Sequence, residues 1–137
     1  MNMHRRNLLI KTAIASFSLS ASMVWAAQPV VEIIAFAHPP VQSALKPLRD
    51  WLTSQGNKLR VTDMDMESPQ AQKRLADIGL TGHIPVVVLV DGKYKFNRKD
   101  GSSVEFLSFP SGPGTPAGIK ATWSAEDVQA ILKARKS

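Results

Sequence analysis

The chain has 137 residues, with 17 Lys and Arg against 11 Asp and Glu, and 44% of its residues are hydrophobic. This length and apolar content favour one globular domain and exclude a fibrous or disordered chain. No cysteine is present, which excludes disulfide scaffolds, iron–sulfur clusters, Cys-ligated zinc and every thiol chemistry.

The start of the chain has the pattern of a secretory signal peptide. A basic head with Arg5 and Arg6 precedes an apolar run at 13–24, and small residues follow it. Serines interrupt this run, and it is short for the roughly 20 apolar residues of a membrane span. We therefore expect residues 1–26 to be removed and residues 27–137 to form one periplasmic or secreted domain, with no stable membrane insertion after cleavage. The arginine pair resembles a twin-arginine signal and also fits an ordinary head region, so both export routes stay open.

Cleavage weakens the argument for a nucleic-acid partner. It removes three basic side chains and no acid, which leaves 14 basic and 11 acidic residues and a net charge of +3. That charge is ordinary for a soluble surface, and no run of Lys and Arg is interleaved with aromatic residues. We predict no nucleic-acid partner. An exported domain of this size without a disulfide must be held together by its core packing.

The domain opens with a strand and a helix. Residues 30–37 (VVEIIAFA) form a nearly continuous apolar run with β-branched residues, which predicts a buried strand. His38 and two prolines end it. Apolar residues then recur at steps of three and four over 41–52, which predicts a helix that runs to about Ser54 and is closed by Gly56.

A second strand and helix follow, and then a central strand. Residues 59–64 alternate well enough for a strand. Ser68 and Pro69 supply an N-cap and a proline at the first helical position, and Gly79 stops that helix. The run 84–90 (IPVVVLV) is the most apolar segment of the domain and predicts a central strand.

The next part predicts an antiparallel meander. An Asp-Gly pair at 91–92 is a strong hairpin signal, and a second Asp-Gly pair lies at 100–101. The segments between and after them, 93–98 and 103–109, are therefore expected to pair with the central strand in a meander of three strands.

The last part predicts a loop and a closing helix. Residues 109–122 (FPSGPGTPAGIKAT) are too rich in Pro and Gly for regular structure. Ser124 and Asp127 form a capping-box-like helix start, and Trp123 and Val128 are placed to form a hydrophobic staple around it.

The resulting order, β-α-β-α-β-β-β-α, predicts an α/β fold with a mixed sheet and helices on both faces. This order, with Pro85 at the head of the third strand and the Asp91-Gly92 turn after it, resembles the thioredoxin fold. The resemblance covers residues 30–133, nearly the whole domain. It implies that Pro85 is a cis-proline lying against the active-site loop, which residues 38–42 would occupy.

The sequence departs from that family where the family carries Cys-x-x-Cys. Residues 38–41 or 39–42 take that place, depending on whether Pro47 is matched to the family's helix proline, and neither option contains sulfur. Disulfide exchange requires a thiolate, so thioredoxin, disulfide isomerase and peroxiredoxin activities are excluded. The resemblance thus implies a thioredoxin-like domain without redox chemistry.

We expect such a domain to be a binding or accessory protein, without catalysis and without a cofactor. The expected contact surface, which we call the His–Pro face, consists of His38, Pro39, Pro40, His83, Ile84 and Pro85. In the thioredoxin family the neighbourhood of the cis-proline binds extended polypeptide through backbone hydrogen bonds, so the expected ligand is a peptide or protein partner. The loop 112–118 is expected at its border. We expect a monomer or a weak oligomer.

The alternative hypothesis is a metal site. The resemblance brings His38 and His83 together, and two imidazoles suit copper or zinc when further ligands join them. The alternative is that each histidine caps the end of a strand or forms a hydrogen bond with a backbone group. The methionines of the DMDME run at 63–67 could provide sulfur ligands to copper. The alternative is that the methionines fill the core and the acidic residues form a solvated rim. A third, enzymatic hypothesis would depend on the same histidines as acid or base.

Overall fold

The computed structural model describes residues 27–135, so the expected signal peptide lies outside the described residues. The elements in chain order are β1 (Val30–Ala35), α1 (Pro39–Ser54), a 3₁₀ turn (Gly56–Lys58), β2 (Arg60–Asp65), α2 (Pro69–Asp77), β3 (Val86–Val90), β4 (Lys95–Asn97), β5 (Ser103–Glu105) and α3 (Ala125–Ala134). The predicted order is confirmed. Within the described part of the chain, no helix is long and apolar enough to cross a membrane.

The main sheet is mixed, as predicted, and β1 is its central strand. The strand order is β2-β1-β3, with β2 parallel and β3 antiparallel to β1. The parallel pair needs a crossover, which α1 provides. The carboxyl ends of β1 and β2 and the start of β3 therefore lie at one end of the sheet.

The predicted meander is wrong in its pairing. Both residues of the Asp91-Gly92 turn have positive φ angles, 51° and 79°, and Val90 pairs with Lys93 across it, as in a tight hairpin. Beyond that pair, however, β4 leaves β3 and forms a separate two-stranded sheet with β5. The segment after β5 returns to β3 instead, joined by one antiparallel bridge between Val87 and Leu107.

Aromatic packing accounts for this departure. The ring of Phe96 in β4 stacks on Phe106 at a centroid distance of 5.4 Å, and Phe106 lies 5.6 Å from Trp123. Phe106 and Trp123 are buried in the core beneath α1 and α3. The hairpin is therefore held on that core rather than alongside β3.

Helices cover both faces of the main sheet. One core cluster, on the first face, packs side chains of β1 and β3 against α1 and α3; the strand residues are Val31, Ile33, Val86, Val88 and Val90. The other joins Ile34, Val87 and Leu89 to α2. Since successive side chains of a strand point to opposite faces, the two clusters are the two sides of one sheet.

The predicted caps are confirmed. The hydroxyl of Ser68 accepts the backbone N–H of Ala71 at 3.1 Å at the start of α2. At the start of α3, Ser124 and Asp127 form a capping box. Trp123 and Val128 are both buried in the same core cluster.

The cis peptide bond implied at Pro85 is wrong, because every peptide bond within residues 27–135 is trans. Pro85 precedes β3, and its carbonyl accepts the backbone N–H of Phe36 at 3.2 Å. Trans is the ordinary state of a bond before proline, and here it lets the chain run directly into the strand. The absent N–H of Pro85 falls at the end of the ladder, where a proline is tolerated.

Candidate functional site

The His–Pro face is formed by two loops at one end of the sheet. The first leads from β1 into α1, and the second leads into β3. The ring of Phe36 in the first loop joins them, because it lies 5.5 Å from the imidazole of His38 and 5.7 Å from that of His83, measured between ring centroids. The two histidine loops therefore lie together, as expected, and the contact between them is made by the ring of Phe36, which the sequence analysis does not single out.

Most of the expected contact residues are accessible. The side chains of His38, Pro39, Pro40 and His83 are exposed, whereas Ile84 and Pro85 are half-buried. Ile84 packs against the core beneath α2. The face therefore combines two accessible imidazoles with a mostly apolar surround.

The start of α1 is poor in hydrogen-bond donors. Pro39 and Pro40 occupy the first two helical positions and have no N–H group, and the N–H groups of Val41 and Gln42 both donate to the carbonyl of His38. Free N–H groups in the first turn are what make a helix terminus bind anions. This terminus therefore lacks the donors with which a helix holds a phosphate, a carboxylate or a thiolate.

A chain of polar side chains supports the first loop. Nε2 of Gln42 donates to the carbonyl of Phe36 at 2.8 Å, and Oε1 of Gln42 accepts from Arg49. Arg49 in turn donates to Asp63 in β2 at 2.7 Å. The sequence places Gln42 in the loop by its position only, and nothing in its local sequence indicates this role.

The second loop presents unpaired backbone. No backbone N–H or C=O group of residues 81–84 has a hydrogen-bonding partner within residues 27–135. Thr81, Gly82 and His83 are exposed. These polar groups are available to an incoming ligand beside the imidazole of His83.

The loop expected at the border of this face contacts α1. A Cβ atom placed on Gly114 would stand 2.4 Å from the carbonyl oxygen of Ser43, and Gly114 has a φ of +88°. That carbonyl would ordinarily accept the N–H of residue 47, but Pro47 has none. The glycine packs onto the helix at the point where its hydrogen-bond ladder is interrupted.

The DMDME run belongs to the core and the rim. Met64 and Met66 are buried in the cluster beneath α2, and Asp63, Asp65 and Glu67 are exposed. The alternation predicted from the sequence is confirmed. Buried thioethers with core neighbours are not accessible to copper, which argues against the copper interpretation of this run.

Two structural ion pairs contain groups with shifted pKa values. Hydrogen bonds from Arg98 lower the pKa of Asp127 at the start of α3, and Ser124 adds to this effect. Hydrogen bonding to Glu32 raises the pKa of Arg74 between β1 and α2. Neither pair belongs to the His–Pro face.

Two further observations bear on the chemistry of this face. Within residues 27–135, no three or more His, Asp or Glu side chains are grouped as metal ligands would be. Among the surface concavities of the described residues, four of about 340 to 440 Å³ lie around α3 and beside β2, and none of these four is lined by residues 36–42 or 81–85. The His–Pro face is thus separate from these four concavities.

Comparison with known proteins gives no relative, since no protein-family model, no curated protein and no solved structure matches the chain.

Proposed function

We propose that this chain is an exported, thioredoxin-like domain that binds an extended peptide or protein segment on its His–Pro face, without catalysis or redox chemistry. The thioredoxin-like arrangement is supported by the sheet order β2-β1-β3, by the antiparallel bridge of residue 107 to β3, and by α2 lying opposite α1 and α3. The absence of cysteine supports the non-redox role. Export rests on the pattern of residues 1–26.

The observation that carries the proposal is the unpaired backbone of residues 81–84. An extended ligand gains affinity when its main chain bonds to exposed N–H and C=O groups, and its side chains provide specificity. Phe36, His38 and His83 supply rings beside that backbone. The donor-poor start of α1 favours an uncharged main chain over an anionic ligand.

A peptide-display experiment tests this function. Peptides selected on the protein from a random library are synthesised, and their Kd values are measured by calorimetry. In the Ile84→Pro variant, which removes one unpaired N–H, we expect binding to weaken by about tenfold. Ile84→Val keeps the N–H and should bind normally, as should Lys95→Ala in the distant β4.

Circular dichroism verifies that each variant is folded. Peptides that bind Ile84→Pro and the unchanged protein equally would place their site elsewhere and end the proposal. A selection that yields no binding peptide would end it too.

The second candidate function is a metal site formed by His38 and His83. It is favoured by the contact of both imidazoles with the same Phe36 ring. Native mass spectrometry with elemental analysis, on protein recovered without chelator or histidine tag, decides between the candidates. Copper or zinc near one equivalent, lost in His38→Ala and in His83→Ala, would establish the metal site. Metal-free protein would remove this candidate.

A further inference from the structure

A second surface with unpaired backbone groups runs along the outer edge of β2. Within residues 27–135, β2 pairs with β1 and with no other strand. The N–H groups of Arg60 and Met66 donate towards β1, each at 2.9 Å. In a parallel ladder alternate residues bond to the same neighbour, so the even-numbered residues of β2 face β1. Val61 and Asp63 therefore direct their N–H and C=O groups away from the sheet.

One aliphatic side chain is exposed on this edge. Val61 is 42% exposed, which is unusual for an aliphatic residue in a strand of this molecule. A concavity of about 370 Å³ lies beside it, between β2 and the end of α1, with Leu52 and Leu59 in its wall. The ion pair of Arg49 and Asp63 borders the same concavity.

The charges along β2 are arranged by sign. Lys58 and Arg60 lie at its start, and Asp65 and Glu67 lie at its end. All four side chains are exposed, and none forms an ion pair within the described part of the chain. Charged residues on an edge strand usually prevent association. Here two copies in antiparallel orientation would bring positive ends against negative ends, whereas parallel copies would repel.

We propose that a second copy of this chain docks on the edge of β2, antiparallel and centred on Thr62. That register pairs both backbone groups of Val61 with both groups of Asp63 of the second copy, and the reverse pairing follows from the two-fold symmetry. Thr62 then faces its own counterpart, a favourable cross-strand pair of β-branched residues. The two three-stranded sheets become one continuous sheet, and both His–Pro faces stay free.

Sedimentation velocity on the protein recovered after expression of the full chain tests the interface. We expect a concentration-dependent dimer that weakens as salt is added, because its charged ends attract across solvent. Val61→Pro removes an outward N–H that has no partner in the single chain, and it should sediment as a monomer. Val61→Thr keeps that N–H and should still form the dimer. A protein that stays monomeric up to millimolar concentration, or a dimer that survives Val61→Pro, would overturn the proposal.

Cysteine cross-linking gives a second test that does not depend on proline. Because the chain has no cysteine, a single introduced thiol can form a disulfide only between two copies. The Cα atoms of a non-hydrogen-bonded antiparallel pair are about 4.5 Å apart, which a disulfide spans. Thr62→Cys should cross-link rapidly under mild oxidation, and Lys95→Cys, an exposed residue of β4, should not. Equal cross-linking of the two variants would contradict the interface.

Discussion

The side-chain amide of Gln42 takes the place of a backbone donor that Pro85 lacks. In an antiparallel ladder the N–H of residue 85 would bond to the carbonyl of Phe36, since Phe36 already donates to the carbonyl of Pro85. Gln42 donates to that Phe36 carbonyl at 2.8 Å. Pro85, just before β3, and Gln42 in the first turn of α1 are thereby linked through one acceptor.

We therefore expect Gln42→Ala to destabilise the protein by about 1 to 2 kcal/mol, because it leaves a partly buried carbonyl without its donor. Restoring the backbone N–H with Pro85→Ala should reduce that loss, so the double variant is more stable than the sum of the two single changes implies. Urea unfolding of the four proteins measures the coupling. Strict additivity would show that the two residues do not serve the same acceptor.

The Arg98–Asp127 pair makes stability depend on pH. Arg98 lowers the pKa of Asp127 in the folded protein, so the charged carboxylate stabilises the fold at neutral pH, and this contribution is lost as pH falls through the lowered folded-state pKa. Asp127→Asn should cost about 1 kcal/mol near neutral pH and progressively less in acid. Asp50→Asn, in the exposed pair with Lys46, should show little effect at either pH. Chemical unfolding over a pH series checks this, and a loss that grows in acid would refute it.

Gly114 should tolerate no side chain. Gly114→Ala combines a φ of +88° with a contact 2.4 Å from the Ser43 carbonyl, so we expect a loss of about 1 to 3 kcal/mol. Gly118→Ala is the matched control, because its φ is +85° and nothing lies near its added Cβ. In thermal unfolding, the Tm of Gly118→Ala should be clearly higher than that of Gly114→Ala. Equal losses would mean that backbone strain alone, and not the contact with α1, requires the glycine.

Removing one partner of the Glu32–Arg74 pair should destabilise the protein more than replacing both partners by apolar residues. Both guanidinium contacts are short, at 2.8 and 2.9 Å, and Glu32 is only 14% exposed in the central strand. Arg74→Met should lower the free energy of unfolding by about 1 to 2 kcal/mol, because the poorly solvated carboxylate of Glu32 loses its partner. The loss stays modest because solvent already screens the partly exposed Arg74 side of the pair. The double variant with Glu32→Leu should recover much of that loss. Calorimetric melting of both proteins decides it, and a double variant less stable than Arg74→Met would count against this account.

The sequence predicted the elements well, because their signals are local. The apolar spacing of α1, the Ser68 and Ser124 caps and the Asp91-Gly92 turn each act within a few residues, and all are found in the structure. The pairing of β4 was not predictable in this way. The alternating pattern of residues 93–98 and 103–109 favours a meander beside β3. The observed pairing depends instead on the stacking of Phe96 on Phe106, which no local pattern indicates.

The meeting of the two histidine loops could be predicted from the sequence, but the contacts between them could not. The fold resemblance predicts that His38 and His83 lie close together. The ring between them, however, belongs to Phe36, which has the sequence pattern of one more apolar strand residue. The cis-proline carried over from that resemblance is absent, because the isomer of a proline bond is set by tertiary contacts that sequence spacing does not contain. The outward-facing groups of β2 likewise become visible only when the sheet order is known.

Trp123 offers an optical reporter of the hairpin and its core. Its ring is 1% exposed, lies against Phe106, and its N–H is shared between the carbonyls of Leu107 and Ser108, both at 3.0 Å. An indole so enclosed emits at short wavelength and is protected from aqueous quenchers. Separation of the β4–β5 hairpin from the body of the molecule would shift that emission to the red, while half-buried Trp51 on α1 would keep its own signal. Once residues 1–26, which contain Trp25, are removed, a replacement of Trp51 by Phe would leave Trp123 as the single tryptophan, positioned to follow opening of this region in real time.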